Sequence, residues 1–279
     1  MPELPEAETI ARQLHAAIAG QTLRHVRLAR RDVLRGGTPR DLRRLSGQRV
    51  RAVFRRGKRV VVELSDNLRV IFALGMTGQI TLADRDAPIP AHTHLRVGIG
   101  DGSRELRFRD VRRFGGVWVA NGSDEAPLPL PLGVEPLLVD LRTFRAILRR
   151  KRRIKALLLD QNLIAGIGNI YADEALHRAG IHPLARASDL APRSSKALLV
   201  AIRRVLRAAI THRGTTLADY RTTTGEPGDY RSRHRVYQRE GLPCLTCQAP
   251  IERIVVTARS THFCPICQPK TRPGFAVAS

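Results

Sequence analysis

The chain has 279 residues, room for two domains that each bury a core, and its 48 Lys and Arg against 25 Asp and Glu leave a net charge of +23. That excess predicts a polyanionic partner, nucleic acid ahead of an anionic membrane, since there is no long apolar span and no basic amphipathic helix with aromatic anchors. The N-terminal segment carries Glu3, Glu6 and Glu8 and no apolar cleavable stretch, so it does not read as a secretory signal, and a cytoplasmic protein is expected.

The chain opens Met1-Pro2-Glu3-Leu4-Pro5-Glu6-Ala7-Glu8. Removal of Met1 would make Pro2 a free secondary amine beside carboxylates. An α-amino group titrates near ~7.7–8.0, so part of it is unprotonated at neutral pH and can attack a sugar C1′ to form an iminium. Pro5 and the glutamates suit a first helical turn, Gly20 suits its stop, and Ala7, Ile10, Leu14 and Ile18 form the apolar stripe. The helix's positive end disfavours an ammonium at Pro2. A plainly capped amphipathic helix has the same local signature.

Residues 23–119 read as short strands separated by turns, among them Arg49–Phe54, Val60–Leu64, Leu68–Ala73, Leu95–Ile99, Glu105–Phe108 and Val117–Val119, predicting an antiparallel sandwich or flattened barrel. Lys58, in Gly57-Lys58-Arg59, reads locally as a strand-edge cation. Met76 and Phe114 sit between glycine-flanked turns, in Leu74–Gly78 and Asp110–Gly115; such side chains are either core or wedges that fill the gap behind an everted nucleotide. Pro127, Pro129, Pro131 and Gly133 predict a linker over Ala126–Val134. The expected domains are residues 1–134, 135–235 and 236–270.

Beyond the linker, helices are expected at Leu141–Arg149, Lys155–Asp160, Ile170–Ala179 and Ser194–Thr211. Arg149-Arg150-Lys151-Arg152-Arg153-Ile154-Lys155 concentrates positive charge, either a solvated helix face or a site for an acidic ligand; the net charge favours DNA for Arg149 and Lys155. Gly166-Ile167-Gly168-Asn169 places an expected Asn169 N-cap before a helix, a turn suited to an anion. The polar loop Asp219–Pro227 could cap an everted base or be plain surface. Cys244-x2-Cys247 and Cys264-x2-Cys267 have zinc spacing: one structural Zn²⁺ with four thiolates and no open coordination position, with redox pairs or disulfides as the alternatives. Ile251–Ala258 and Thr261–Cys264 predict a hairpin with Arg259 near its tip, and Lys270–Ser279 a poorly ordered tail.

Together, the opening octapeptide, the run Asn162–Glu174 and the hairpin ending Arg259-Ser260-Thr261-His262-Phe263-Cys264 resemble the bacterial formamidopyrimidine-DNA glycosylase family over nearly the whole chain. The resemblance implies an α+β fold: an N-terminal antiparallel β-sandwich with an N-terminal helix, a helix-two-turn-helix domain and a zinc β-hairpin. It implies a bifunctional glycosylase and abasic-site lyase that removes oxidised purines such as 8-oxoguanine and formamidopyrimidines from double-stranded DNA by β,δ-elimination. Pro2 would be the nucleophile, Glu3 the acid and base at the sugar, and Glu6 a support. Lys58 would contact phosphate and move a proton during elimination, while Arg259 would grip the phosphate of the damaged nucleotide and assist δ-elimination. Met76, Arg112 and Phe114 would fill the void, with Arg112 reading the orphaned base, and His92, Arg149 and Asn169 would contact DNA. A monomer without membrane contact is expected. The sequence departs from the family at Ala73, where histidine is usual, and at Val111 and Val134, where prolines are usual. Two alternatives remain at this stage. One is a catalytically impaired protein that binds lesions or abasic sites. The other is an endonuclease VIII-like enzyme for oxidised pyrimidines, against which Leu4 and the four cysteines both argue.

Overall fold

The computed structural model describes residues 2–121 and 132–270. It divides into two compact units, one of residues 1–131 with 209–231 and the other of 132–208 with 232–279. Met1, most of the expected linker at Ala126–Val134, and the expected tail beyond Lys270 lie outside the described residues.

The first unit runs α1 (Leu4–Ile18), β1 (Leu23–Leu28), β2 (Leu34–Gly36), α2 (Pro39–Arg43), β3 (Val50–Arg56), β4 (Arg59–Leu64), β5 (Leu68–Ala73), β6 (Gly78–Asp84), β7 (Thr93–Ile99), β8 (Arg104–Asp110) and β9 (Gly116–Asn121). These strands form a four-stranded sheet ordered β1-β7-β8-β6 and a five-stranded sheet ordered β2-β9-β5-β4-β3. Every pairing is antiparallel except β2 with β9. Alternation explains the layering. Val60, Val62 and Leu64 of β4 face the core shared with Leu95, Val97 and Phe108 of the other sheet, while Val61 points the opposite way and packs with Ile71 under Trp118. Phe72 and Phe108 meet in the core with ring centroids 5.8 Å apart. The predicted stripe Ala7, Ile10, Leu14 and Ile18 is buried, and α1 lies on β3 and β4.

The second unit contains α3 (Leu141–Leu148), α4 (Ile154–Leu159), α5 (Asn169–Arg178), most of α6 (Pro192–Thr211), and the hairpin β10 (Glu252–Val256) and β11 (Arg259–Phe263). Gly168, not Asn169, is the N-cap of α5; Asn169 is its first helical residue, which frees the amide side chain for a tertiary contact. The hairpin turns on Thr257 and Ala258, both with positive φ (51° and 56°), as a two-residue turn matching the strand twist requires. Arg259 opens β11 paired with Val256, in the pair that closes the turn, and so lies near the tip as expected. Among the described residues, no helix is long and apolar enough to cross a membrane.

Candidate active site

At the N-terminus, Pro2, Glu3 and Glu6 are all buried. Glu6 Oε2 accepts the backbone N–H of Glu3 at 2.7 Å, and Glu6 Oε1 accepts that of Thr215 at 2.7 Å. One carboxylate thus fixes the peptide just after Pro2 and ties it to the 214–215 backbone. Gly214 permits this approach, since a Cβ there would lie 2.6 Å from Glu6 Oε1 and its φ is +78°. Tyr220 packs in the same unit, and burial, then the Glu6 charge, hold its phenol well above the usual tyrosine range.

Lys58 lies in the two-residue turn joining β3 to β4, after Gly57 with φ +60°. Arg55 fastens that turn to α1: its Nε donates to Glu8 Oε2 at 2.8 Å and its Nη1 to the Gly57 carbonyl at 3.0 Å. Burial would raise the Glu8 carboxyl, but hydrogen bonds from Arg12 and Arg55 outweigh it and hold the group below the ordinary carboxylate range.

The proposed wedges project from one organised corner. Met76 is 40% and Phe114 60% exposed, and the Arg112 guanidinium lies 4.5 Å from the Phe114 ring centroid. Beneath them, fully buried Asp110 accepts Thr77 Oγ1 at 2.5 Å and Gly115 N at 2.8 Å, and Arg112 N donates to Thr77 Oγ1 at 3.0 Å. Asp110 joins the two wedge loops through hydrogen bonds that a shared DNA surface alone would not supply. Exposed His92 has φ +65°, and its carbonyl accepts Asp110 N at 3.1 Å, while the buried His94 ring meets the Asp110 carbonyl at 2.9 Å.

The Asp219–Pro227 loop is polar as expected, yet its foot is buried: Thr222 and Thr223 are 0% and 2% exposed. Gln13 of α1 accepts both the backbone N–H and the hydroxyl of Thr223 at 3.0 Å. Thr224–Pro227 forms an exposed tip.

In the second unit, Arg149 to Arg153 are exposed, but Lys155 corrects the expectation that it meets DNA. It is fully buried, with its three ammonium donors directed to Asp173 Oδ1 (2.6 Å), the Ser260 carbonyl (3.0 Å) and Thr261 Oγ1 (2.8 Å). The first turn of α4 carries this cation inward, where Asp173 neutralises it. Asn169 Nδ2 also donates to the Ser260 carbonyl, at 2.8 Å, and Thr261 Oγ1 donates to the Arg259 carbonyl at 3.1 Å. The backbone around exposed Arg259 is thereby clamped from α4 and α5. Replacing Lys155 by Met should strand a buried carboxylate and cost about 3–5 kcal/mol, whereas Lys155→Met with Asp173→Leu should recover much of the loss. Thermal melts would check this; an unchanged melting temperature in the single variant contradicts the buried pair.

Asp173, Glu174, His177 and Asp110 were not singled out from sequence. Asn169, Asp173 and His177 recur every four residues and share one face of α5, a polar spacing that was available as a signal. Glu174 accepts the backbone N–H groups of Arg235, Val236 and Tyr237 at 2.9–3.0 Å, and burial pushes its carboxyl up despite those bonds.

The four cysteine sulfurs all lie within 4.8 Å of one another, with Cys244–Cys267 at 3.9 Å and Cys247–Cys264 at 3.3 Å. Sulfurs around a tetrahedral Zn²⁺ sit about 3.8 Å apart, given Zn–S bonds of about 2.3 Å. Burial would raise the Cys244 thiol, but backbone N–H groups of Thr246 and Cys247 and the His177 ring bring it to about 5; burial and neighbouring sulfurs raise Cys264 and Cys267. Such crowded thiols can ionise together only around a cation, so the donor set fits zinc.

Family models assign the same parts: the formamidopyrimidine-DNA glycosylase N-terminal domain matches residues 1–117, its H2TH domain 132–221, and the zinc finger found in FPG and IleRS 241–270. The chain belongs to the formamidopyrimidine-DNA glycosylase family. A Desulforamulus reducens formamidopyrimidine-DNA glycosylase is 43% identical, covering 96% of this chain and 99% of that protein. Two Lactococcus lactis FPG structures, a mutant with Fapy-dG DNA and a complex with abasic-site DNA, each match with TM-score 0.89, 35% identity, and coverage of 96% of this chain and 100% of theirs. As a formamidopyrimidine-DNA glycosylase, the chain carries one structural zinc at Cys244, Cys247, Cys264 and Cys267.

Proposed function

We propose that Pro2 is the nucleophile of this enzyme, with Glu3 as acid and base at the sugar and Glu6 holding the N-terminal peptide in place. The family makes the chain a base-excision-repair DNA glycosylase and abasic-site lyase for oxidised purines. The single observation that carries the Pro2 reading is the double use of Glu6, which fixes Glu3 N and Thr215 N at 2.7 Å each and so orients the residue next to the amine.

The unprotonated Pro2 nitrogen attacks C1′ as the glycosidic bond breaks and the base departs with its electron pair and a proton. Pro2 then loses its N–H proton, and its lone pair opens the sugar by breaking C1′–O4′, with Glu3 protonating O4′. The resulting iminium acidifies C2′, whose proton is lost as the 3′ phosphate leaves. A second elimination expels the 5′ phosphate and leaves a one-nucleotide gap. In this reading Lys58 moves a proton during elimination, and Arg259 grips the phosphate of the damaged nucleotide and assists δ-elimination. Met76, Arg112 and Phe114 occupy the vacated stack, and His92, Arg149 and Asn169 contact the backbone. Zinc supplies no reacting group, because four thiolates fill its shell. The enzyme acts as a cytoplasmic monomer on double-stranded DNA.

Duplexes carrying 8-oxoguanine, a formamidopyrimidine, an oxidised pyrimidine or an abasic site separate the possibilities. The account expects cleavage of the purine lesions and the abasic site with phosphate on both ends of the gap. Cleavage of the pyrimidine lesion alone would overturn it, as would binding without strand scission.

A further inference from the structure

Across the β4, β5 and β9 strands, Arg59, Ala73 and Gly116 stand side by side in register. By alternation they share the face of Val61, Ile71 and Trp118, away from the main core. Ala73 and Gly116 make a floor with nothing beyond a methyl group. From its far edge a second arginine lies over that floor, because a Cβ on Gly116 would sit 2.3 Å from Arg35 Cγ. Arg56 is the direct cross-strand partner of Arg59. Like charges placed opposite one another destabilise a hairpin unless something neutralises them.

Arg59 lacks such a neutraliser. It is half-buried, and no hydrogen bond or ion pair of its side chain occurs among the described residues; its Nη1 is buried with no acceptor. A buried guanidinium donor left unpaired is costly. Burial first, and Arg56 second, press on its charged form.

We propose that Arg59 binds a DNA phosphodiester, forming the wall of an anion cradle floored by Ala73 and Gly116; this rests on the reading above that the substrate is DNA. The location favours the DNA backbone as the anion's source. Ala73 leads directly into the loop bearing Met76, and Gly116 directly follows the loop bearing Arg112 and Phe114, so the floor lies at the root of both wedges. A strand running past an everted nucleotide passes that root. Beside Arg59, Ala73 presents only a methyl group, and the Arg59 guanidinium offers a planar fork suited to phosphate.

Arg59→Met separates a ligand-binding arginine from a structural one. Without DNA, the variant should melt no lower than wild type, since it removes an unpaired half-buried charge. With a duplex containing a tetrahydrofuran abasic analogue, it should bind about tenfold more weakly, and its slope of log affinity against log salt should be shallower by about 0.9. Neutral methylphosphonate linkages placed one at a time around the lesion give the sharper result. One linkage should weaken wild type and leave Arg59→Met indifferent, and Ala73→His in the Arg59→Met background should restore sensitivity there. A variant that fails to fold, or one with the wild-type salt slope and interference map, overturns the proposal. Borohydride trapping of wild type on authentic abasic DNA reads the Pro2 chemistry separately. Trapping by wild type together with an unchanged Arg59→Met map rejects Arg59 alone.

Discussion

Borohydride added during turnover of 8-oxoguanine DNA should freeze wild-type enzyme onto the strand and leave both Pro2→Gly and a chain that retains Met1 unattached. The two variants fail for different reasons. A retained Met1 turns the Pro2 nitrogen into an amide, whose lone pair is delocalised and cannot attack C1′. Glycine keeps an α-amine but loses the secondary amine and the ring that fixes its direction. The rate of base release in single turnover should fall by at least about 10³-fold, the scale on which enzymes lose activity with their nucleophile. Folding should be little affected, because α1 keeps its buried stripe and Glu6 still binds Glu3 N and Thr215 N. Gel-resolved trapping and near-wild-type melting measured together check this. Undiminished trapping by a chain with Met1 uniformly retained contradicts the assignment.

Cys244→Ser or Cys264→Ser should abolish zinc binding and lesion cleavage while the sandwich remains folded. The buried cluster of the zinc module is Val236, Cys244, Ile251 and Cys264, with Cys247, Ala249 and Cys267 partly buried against it. The metal ligands are therefore most of that core, and zinc binding in small modules contributes about 10–16 kcal/mol. Its loss would release the β10–β11 hairpin and with it the backbone that Lys155 and Asn169 clamp at Ser260. Arg259→Ala should instead retain zinc and fold while weakening binding and δ-elimination. Metal content, circular dichroism and strand scission on the same preparations check the set; a cysteine variant that cleaves 8-oxoguanine DNA normally without metal contradicts the role given to the module.

Features written in short spans of sequence were legible. The apolar stripe of α1, the paired cysteines and the strands β3, β4 and β5 depend on local spacing, and the structure contains each near its expected bounds. Strands β1 and β6 fall inside the 23–119 stretch read as strand and turn but have no bounds of their own there, since the Leu-Arg-His-Val-Arg-Leu run buries only Leu23 fully and glycine, glutamine and alanine dilute the Ile80 and Leu82 alternation. Lys155 was misread for a different reason. It adjoins exposed cations in sequence, yet its surroundings come from Asp173 and the hairpin, 18 and more residues away, and no local pattern encodes that pairing. Asp110 is similar: its partner Thr77 lies on another loop, separated by 33 positions.

Mass mapping of the trapped species tests the central claim most directly. Wild-type enzyme would be reduced onto an abasic-site strand, digested with protease and nuclease, and the modified peptide sequenced by fragmentation. The account predicts that the sugar remnant sits on the α-nitrogen of Pro2 in a peptide lacking Met1. A remnant carried instead by the ε-nitrogen of Lys58 or another lysine, with Pro2 unmodified, would contradict it.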